Sequence, residues 1–565
     1  MLADCVPWPE EFAALYRAKG YWEDITIPEM LERTIRAVPD KTAIVIGDRR
    51  ITYSELGRAI DRMAYGFVRH GLKPLDRVVF QLVNSAELAI AFFALIKAGA
   101  IPVMALPAHR HTEIGHFVAR SQAVAYLIPD MSRGFDYRAM AAELVQRCPS
   151  LRHVFVVGTP YHGQHDLLAL LDEPVDEAEM AATLAACRPP ADEVALMVLS
   201  GGTTGLSKLI PRTHNDYIHM CKTSGAATGF DRNMVFLMVL QMAHNFPLGG
   251  PGFLGAFAVG GTVVIAPSTA AEDVFSLIEK ERVTMVCAAV PLVTAWLIAS
   301  TPETRYDLSS LRALMSGGAR LAPELRRRIE QRFRCTYIES FGTGEGMLMK
   351  TRPDDPDEIR YTASGRPVSP GDEIRVVDDM DQEVPDGVAG ELLGRGPYTI
   401  RGYYNDPDAN AKAFTADGFY RMGDIVKRIG NYVYVEGRRK DLVNRGGEKI
   451  SCEEVENHIL AHPAVASACV VAMPDDEYGE KACAFVILRK QCSLTFKDLT
   501  SFLLTRNIAK FKLPERLEIV DSFPISAADK ILRRELRVII ANKIAAEKAV
   551  ASTLIPQRFE NGMAG

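Results

Sequence analysis

Short apolar segments alternate with longer amphipathic segments along most of this sequence, and no other feature constrains its fold as strongly. Residues 77–83 (RVVFQLV) and 101–106 (IPVMAL) have the composition of buried strands, and residues 86–98 between them have helical spacing. The same pattern returns at 125–129, 234–240, 262–266 and 283–288. Such alternation predicts parallel strands joined by crossover helices. We therefore expect an α/β fold from about residue 30 to about residue 430.

A change of sequence texture after Tyr432 indicates a second domain. Residues 433–451 (VYVEGRRKDLVNRGGEKIS) combine a strand, a charged turn and a glycine pair. The next segment carries acids at its start, which favours a helix because acids stabilise the positive end of the helix dipole. A chain of 565 residues is also too long for a single ordinary core. We predict a large N-terminal body of mixed and parallel sheets, a hinge, a small α+β C-terminal domain and a tail, at residues 1–438, 439–441, 442–550 and 551–565.

The composition argues against several classes of protein. Apolar residues make up 48% and charged residues 24% of the chain, as in globular rather than disordered or fibrous proteins. The net charge of −6 and the lack of a basic block argue against binding to nucleic acid or to a membrane surface. Ten cysteines without a CxxC pair predict reduced thiols. The first residues (MLADCVPWPEEF) lack the basic and apolar regions of a signal peptide, so we expect a cytoplasmic protein.

The strongest local signal is a glycine-rich segment at residues 199–208 (LSGGTTGLSK) that follows the apolar run 195–199. Glycines let backbone N–H groups approach a polyphosphate closely, while hydroxyls and a lysine add further donors. A Walker loop ends in Gly-Lys-Ser/Thr, whereas Ser207 precedes Lys208 here, so the spacing excludes an ordinary P-loop NTPase. By composition alone a surface turn stays an equal alternative. The candidate phosphate-binding residues are Ser200, Gly201, Gly202, Thr203, Thr204, Gly205 and Lys208.

Further motifs follow in a fixed order over nearly the whole chain. They are SGGA at 316–319, FGTGE at 341–345, YRMGD at 420–424, GRRKD at 437–441, RGGEK at 445–449, and Lys530. Together with the glycine-rich segment they resemble the signatures of the adenylate-forming superfamily, which includes acyl-CoA synthetases, peptide-synthetase adenylation domains and luciferases. The resemblance implies that the chain uses ATP and Mg²⁺ to make an acyl-adenylate and then passes the acyl group to a thiol.

The resemblance also implies roles for residues that bind the nucleotide. Small residues would form a flat wall for adenine, and Phe341 would stack on its other side. Asp424 would accept hydrogen bonds from the ribose hydroxyls, with Arg438 beside it. Glu345 would hold Mg²⁺ against the phosphates and take part in catalysis. The remaining members of this set are Gly317, Gly318, Ala319, Gly342 and Thr343. The same residues also have structural interpretations without a role in binding. Phe341 could be a core aromatic residue, Glu345 a solvated acid in a loop and Asp424 an acid in a turn.

Two further family positions concern catalysis and domain movement. Lys530 matches a catalytic lysine that neutralises charge as the carboxylate attacks the α-phosphate. The family usually has glycine before this lysine, whereas the present chain has Asp529. Lys440 matches the hinge about which the small, mobile domain rotates between the two half-reactions. Gly446, Gly447 and Lys449 would then face the incoming phosphopantetheine arm, although the glycine pair also suits a tight turn.

Residues 242–252 (MAHNFPLGGPG) narrow the class. With residues 8–22 and 395–404 they resemble the stand-alone aryl-acid AMP ligases of siderophore biosynthesis, a branch of nonribosomal peptide synthesis. The resemblance implies that His244 borders the path between carboxylate and phosphate as a catalytic residue. Asn245 would hydrogen-bond the ortho substituent of the ring. The other predicted pocket residues are Phe246, Gly250, Gly317 and Leu348. Alternatively, His244 could simply cap a helix, and Asn245 could simply belong to a turn.

The identity of the acid stays open at the level of sequence. The family often has Ser or Cys at Gly250, and Val or Leu at Leu348, according to whether the acid is 2,3-dihydroxybenzoate or salicylate. Both acids remain candidates, as do 3-hydroxyanthranilate and hydroxypicolinate. The expected thiol acceptor is the phosphopantetheine of a separate aryl carrier protein. The alternatives are an aryl-CoA ligase that uses free CoA, and a non-catalytic binding protein that kept the fold.

Overall fold

The computed structural model describes residues 1–200, 207–299, 305–318, 320–438, 442–445, 448–506, 508–526 and 531–553. They divide into two compact units. Residues Met1–Met422 and Arg428–Tyr434 form the first, and the rest of the described chain belongs to the second. The predicted hinge residues 439–441 lie outside the described residues, so the hinge stays a prediction.

The first unit is an α/β structure, as the alternation of segments predicted. Strand Arg77–Phe80, helix Ala86–Lys97 and strand Ile101–Met104 occur where the sequence indicated them. The helix is buried almost throughout and ends at Lys97, which pairs with Glu32 and Asp61. The described helices of this unit are Glu10–Ala18, Ile27–Ala37, Tyr53–Arg69, Ala86–Lys97, His111–Ser121, Tyr137–Arg147, Glu177–Cys187, His214–Ala227, Asn245–Gly249, Gly252–Ala258, Ala271–Glu281, Val290–Ala299, Pro323–Phe333, Asp357–Thr362 and Pro407–Ala413, with a 3₁₀ turn at Leu168–Leu171.

The largest sheet has nine strands among the described residues, and its centre is parallel. Five successive pairings from Thr42–Ile46 to Thr336–Thr343 are parallel, whereas the outer pairings at both edges are antiparallel. Parallel centres need helices on both faces, which explains the nearly continuous apolar strands. In spatial order the strands are Arg366–Pro367, Gly346–Lys350, Thr336–Thr343, Ala313–Gly317, Met285–Ala288, Val235–Met238, Thr262–Ile265, Thr42–Ile46 and Arg49–Thr52.

A second sheet of the same unit has seven strands within the described ranges. It is parallel except at one edge, where Val194–Leu199 pairs antiparallel with Leu209–Thr213. The glycine-rich segment joins these two strands. In spatial order the strands are Leu209–Thr213, Val194–Leu199, Ile101–Met104, Arg77–Phe80, Ala125–Pro129, His153–Val157 and His165–Asp166. A short hairpin, Met131–Ser132 with Phe135–Asp136, lies apart from this sheet.

A smaller sheet follows along the chain, and the second unit has a sheet of its own. The smaller sheet contains Glu373–Val377, Ala389–Arg395, Tyr420–Ile429 and Tyr432–Arg438. The sheet of the second unit contains Glu448–Ser451, Leu442–Arg445, Gly479–Leu488, Val465–Asp475 and Arg516–Ile519. Its helices are Cys452–Leu460, Phe496–Thr505 and Arg533–Thr553, with a 3₁₀ turn at Lys510–Lys512. Throughout the described chain, no helix is both long and apolar enough to cross a membrane.

A fully buried ion pair connects the two large sheets of the first unit. The Arg212 guanidinium, on the edge strand Leu209–Thr213, donates to Asp216 at 2.7 Å, and neither side chain is exposed to solvent. The same guanidinium donates to the carbonyl oxygens of Gly344 and Tyr398, both at 2.9 Å. Gly344 lies in the turn after strand Thr336–Thr343 of the nine-stranded sheet. Arg212 therefore fixes this turn against the strand that leaves the glycine-rich segment.

We expect Arg212→Met to destabilise the protein by about 3–5 kcal/mol, because Asp216 would keep a buried charge without its partner. The burial that already raises the pKa of Asp216 would then act without Arg212 to oppose it. A group whose folded pKa is raised stabilises the fold at low pH and loses that contribution as pH rises. The deficit should therefore be smaller at pH 5 than at pH 8. Urea unfolding at both pH values measures it.

Arg312→Met is the matched control for this experiment. Arg312 pairs with Asp231 at 3.2 Å, but about half of each side chain is exposed. Such exposed pairs contribute about 0–1 kcal/mol. An Arg212→Met deficit no larger than that of the control would contradict the structural importance of the buried pair.

Candidate active site

The predicted acyl and adenine residues of the first unit gather at one edge of the nine-stranded sheet. Segment 244–250 follows strand Val235–Met238, Gly317 ends strand Ala313–Gly317, and Phe341 lies near the end of strand Thr336–Thr343. These strands are parallel, so their carboxyl ends lie at the same edge. In α/β sheets this edge is the usual place for ligands.

Four of the predicted pocket residues lie close to one another. A Cβ added at Gly317 would lie 3.4 Å from Cζ of Phe246 and 2.8 Å from the Ser340 carbonyl oxygen. A side chain at position 317 would therefore collide with the neighbouring strand. A Cβ added at Gly250 would lie 3.6 Å from Cδ1 of Leu348, which is ordinary contact. The structure thus brings Phe246, Gly317, Gly250 and Leu348 together, and their role as an acyl pocket stays a prediction.

Asn245 has its side-chain amide oriented by a neighbouring phenol. The Tyr217 hydroxyl donates to the Asn245 amide oxygen at 2.8 Å. Tyr217 itself is fully buried, and the Arg212 guanidinium lies 4.9 Å from the centre of its ring. This bond fixes which end of the amide faces Tyr217, so the NH₂ end, with its two donors, is turned away from that hydroxyl. The arrangement suits an acceptor such as the oxygen of an ortho substituent.

His244 caps the short helix Asn245–Gly249. Its Nδ1 accepts from the backbone N–H of Phe246 at 3.3 Å, and its backbone is extended at the cap position. The capping alternative for His244 is therefore present in the structure. This hydrogen bond fixes the imidazole ring of His244 at the start of segment 244–250. The proposed catalytic role of His244 stays a prediction.

Glu345 is a buried carboxylate beside the ends of the glycine-rich segment. Its exposed fraction is 6%, and the Tyr403 hydroxyl donates to its Oε1 at 2.8 Å. The Lys208 ammonium lies 4.6 Å from the centre of the Tyr403 ring. Lys208 in turn donates its backbone N–H to the Ser200 hydroxyl at 2.9 Å, and this bond closes the base of the segment. Glu345, Lys208 and Ser200 thus lie in one neighbourhood.

Glu345 could bind a divalent cation only together with ligands that the protein itself does not supply. One carboxylate oxygen is used by Tyr403, while Oε2 accepts no hydrogen bond from the part of the chain that the structure describes. In the same described part, no cluster of three or more acids, histidines or cysteines could hold a metal ion. Mg²⁺ commonly binds through one carboxylate together with substrate phosphates and waters. The donor set therefore suits Mg²⁺ that arrives with a nucleotide.

The remaining predicted residues have the following places. Phe341 is partly exposed, Gly318 has a φ of +88°, and Thr343 donates to the Gly346 carbonyl at 2.8 Å. Asp424 lies on strand Tyr420–Ile429 in the second unit and is 2% exposed. Outside the described residues, or with undescribed side chains, are Gly201, Gly202, Thr203, Thr204, Gly205, Ala319, Arg438, Lys440, Gly446, Gly447, Lys449 and Lys530.

Several contributors to this site were not identified from the sequence. Tyr217 orients Asn245, Tyr403 contacts Glu345, and the Tyr398 hydroxyl accepts from the Leu348 N–H at 2.9 Å. Tyr398 and Tyr403 lie within the segment 395–404 that carries the resemblance, but the local sequence does not indicate these contacts, since the partners of all three tyrosines lie far away along the chain. A cation in the apolar strand LIPRT, followed four residues later by an acid, is a signal that could have identified Arg212 and Asp216.

With this geometry established, comparison with known proteins assigns the class. The family model described as "AMP-binding enzyme" matches residues 31–404, and that for the C-terminal domain of AMP-binding enzymes matches residues 454–530. The chain therefore belongs to the AMP-binding enzyme family of adenylate-forming ligases. This confirms the predicted family and the predicted α/β class.

Three relatives narrow the comparison. The chain is 45% identical to a 2,3-dihydroxybenzoate-AMP ligase of Bacillus subtilis over 97% of its own length and 99% of the relative. It is 43% identical to a 2-hydroxy-7-methoxy-5-methyl-1-naphthoate–CoA ligase of Streptomyces carzinostaticus, over 95% of this chain and 97% of the relative. Among solved structures, apo MbtA of Mycobacterium smegmatis matches with a TM-score of 0.72 and 40% identity, over 95% of this chain and 99% of that one.

Proposed function

We propose that this chain activates a 2-hydroxyaryl carboxylic acid, or a close ortho-substituted analogue, to its aryl-AMP and then transfers the aryl group to a thiol. The observation that carries the proposal is the orientation of Asn245. Its amide oxygen accepts from the Tyr217 hydroxyl, so its two N–H donors are turned away from that hydroxyl, and the next residue, Phe246, lies against Gly317. The 2,3-dihydroxybenzoate-AMP ligase and the naphthoate–CoA ligase support the choice of acid, since each is named for an acid with a hydroxyl ortho to the carboxylate.

The first half-reaction follows from the groups at the sheet edge. A carboxylate oxygen attacks the α-phosphorus of ATP, a C–O–P anhydride forms, and pyrophosphate leaves with its electron pair. In our proposal Ser200, Lys208 and the glycine-rich segment hold the phosphates, and Glu345 holds Mg²⁺, which neutralises phosphate charge when bound. His244 borders the attacking carboxylate. Lys530 bridges the carboxylate and the α-phosphate during the attack.

The nucleoside part of ATP has its own proposed contacts. Phe341 is partly exposed at the end of its strand, so one face of its ring is available for stacking on adenine. Gly317, Gly318 and Ala319 supply the opposite wall. Asp424 accepts from the ribose hydroxyls, with Arg438 beside it. A buried carboxylate is suited to this because two parallel O–H donors satisfy its oxygens.

In the second half-reaction the thiol attacks the aryl carbonyl and AMP leaves. We propose that the acceptor is the phosphopantetheine of an aryl carrier protein, reached after the small domain turns about Lys440. Gly446, Gly447 and Lys449 then border the arm. Free CoA is the second candidate, which the similarity to the naphthoate–CoA ligase favours. Thioester formation with each thiol in turn distinguishes them, since a carrier-dependent enzyme gives product only with the loaded carrier.

The central test is ATP–pyrophosphate exchange that depends on the added aryl acid. We expect salicylate to exceed benzoate by about 10- to 100-fold in kcat/KM, because an unsubstituted ring leaves the Asn245 donors unpaired at a cost of about 1–3 kcal/mol. Asn245→Ala should remove most of this preference. Tyr217→Phe should weaken the preference, because the Asn245 amide loses the hydrogen bond that orients it. Equal rates for benzoate and salicylate with the unmodified protein would contradict the assignment of Asn245. No exchange with any aryl acid would instead favour a binding protein.

Asp424→Ala tests the proposed ribose contact. We expect the KM for ATP to rise by roughly 10- to 100-fold, since hydrogen bonds to a charged group contribute about 1.5–3 kcal/mol. The KM for the aryl acid should change little. Asp386→Ala is a control because Asp386 is half exposed and pairs with Arg428. An unchanged KM for ATP in a folded Asp424→Ala variant would refute the contact.

Lys530→Ala tests whether this lysine acts only in adenylation. We expect exchange to fall by at least about 100-fold, within the range attributed to a single electrostatic group in a transition state. Thioester formation from a supplied aryl-adenylate should remain near the unmodified rate. Lys548→Ala serves as a control, because Lys548 is an exposed lysine of the same unit that pairs with Asp476. Equal losses in both half-reactions would contradict a role restricted to the first.

A further inference from the structure

Lys350 is a fully buried lysine whose side chain points to the acyl pocket. It ends strand Gly346–Lys350, opposite Ser340 of the neighbouring strand. Successive strand residues point to opposite faces, so Lys350 shares its face with Leu348. The Lys350 ammonium donates to the Gly250 carbonyl at 2.7 Å, which confirms this direction. Gly250 and Leu348 are two of the residues already assigned to the pocket.

The other surroundings of this ammonium are weakly polar or apolar. Its second contact is the Met315 sulfur at 3.1 Å, and the Phe246 ring centre lies 5.8 Å away. An ammonium has three donors and thioether sulfur is a weak acceptor. Within the described residues no carboxylate forms an ion pair with Lys350. The neighbouring groups that affect its charge are Cys287 and Arg352, and burial lowers the pKa of Lys350 to about 7.

Packing alone does not account for a lysine here. Burying an amine without a charged partner costs free energy, and an apolar residue such as methionine would fill a similar volume without that cost. The surrounding strands are apolar, as Met347, Leu348 and Met349 illustrate. A buried polar group that its own protein leaves partly unsatisfied is instead expected where a ligand supplies the missing partner.

Gly250 leaves space next to this ammonium. Its φ is −115°, so its backbone does not require glycine. A Cβ at this position would lie 3.5–3.7 Å from its nearest neighbours, so a small side chain would fit. The absence of that side chain therefore leaves room for a substituent of the substrate ring, close to the Lys350 Nζ.

We propose that Lys350 determines substrate specificity, and that the acid carries, besides its ortho group, a second hydrogen-bond acceptor on the ring edge facing Gly250. This inference rests on the proposed function and specifies the substrate class further. A phenolic oxygen at the 3-position is the simplest such acceptor. It accepts the hydrogen bond that the Met315 sulfur accepts only weakly, and it favours the charged form of the lysine. Asn245 and Lys350 then form hydrogen bonds with substituents at two different positions of the same ring.

A pair of acids of similar shape isolates this hydrogen bond. The acids are 2,3-dihydroxybenzoate and 3-methylsalicylate, which share the ortho hydroxyl and differ in the polarity of the 3-substituent. In acid-dependent ATP–pyrophosphate exchange we expect the dihydroxy acid to be preferred by about 10- to 100-fold in kcat/KM. Lys350→Met should reduce the ratio to near one or invert it. The change should appear in the KM for the acid, with the KM for ATP unaltered.

Met349→Leu is the matched control, because Met349 is equally buried on the same strand but points to the opposite face. It should leave the ratio unchanged. Equal use of the two acids by the unmodified protein would overturn the proposal, and this comparison does not depend on whether any variant folds. An equal loss for all acids in Lys350→Met would also overturn it, because that result indicates a purely structural lysine. The absence of exchange with every aryl acid, salicylate included, would instead refute the proposed function itself.

Discussion

The buried pair between Arg212 and Asp216 is the interaction on which the rest of the site depends. A guanidinium without solvent must have its donors satisfied, and here the acceptors come from different parts of the chain: Asp216, the Gly344 carbonyl and the Tyr398 carbonyl. The pair therefore joins the strand after the glycine-rich segment to the turn that carries Glu345. Its guanidinium also lies over Tyr217, which orients Asn245. The residues proposed to bind the phosphates and those proposed to bind the acid thus have a common support.

Tyrosine hydroxyls orient the polar groups of this site. Tyr217 occupies one atom of the Asn245 amide, Tyr403 occupies one oxygen of Glu345, and Tyr398 accepts from the Leu348 N–H while donating to Asp372 at 2.7 Å. Each of these hydrogen bonds fixes the orientation of the partner group, and so fixes which of its donors or acceptors face away from the phenol. Groups held in this way need little reorganisation when a ligand binds, which is the property expected of a selective and catalytic site.

In our proposal, recognition of the acid and choice of the thiol depend on different parts of the chain. The acyl residues belong to the first unit, whereas the segment proposed to face the thiol, residues 445–449, belongs to the second. The relatives fit this separation, because an AMP ligase and a CoA ligase share similar identity with this chain and both names specify 2-hydroxyaryl acids. Within the pocket, Lys350 adds a polar group that an entirely apolar ring cavity would lack. Its free-energy cost in the absence of ligand is consistent with a role in selectivity rather than in stability.

The sequence by itself determined the family, the α/β class and the order of the site motifs, because these depend on local periodicity and short glycine-rich patterns. Through resemblance it also predicted that Asn245, Phe246, Gly250 and Leu348 line one pocket. Only the tertiary structure revealed Tyr217, Tyr403 and Lys350, whose partners lie 28, 58 and 100 residues away along the chain. The orientation of the Asn245 amide was likewise decided by folding. Long-range contacts of this kind produce no periodic pattern in the sequence, so the position of a tyrosine or lysine along the chain does not show which residue it contacts.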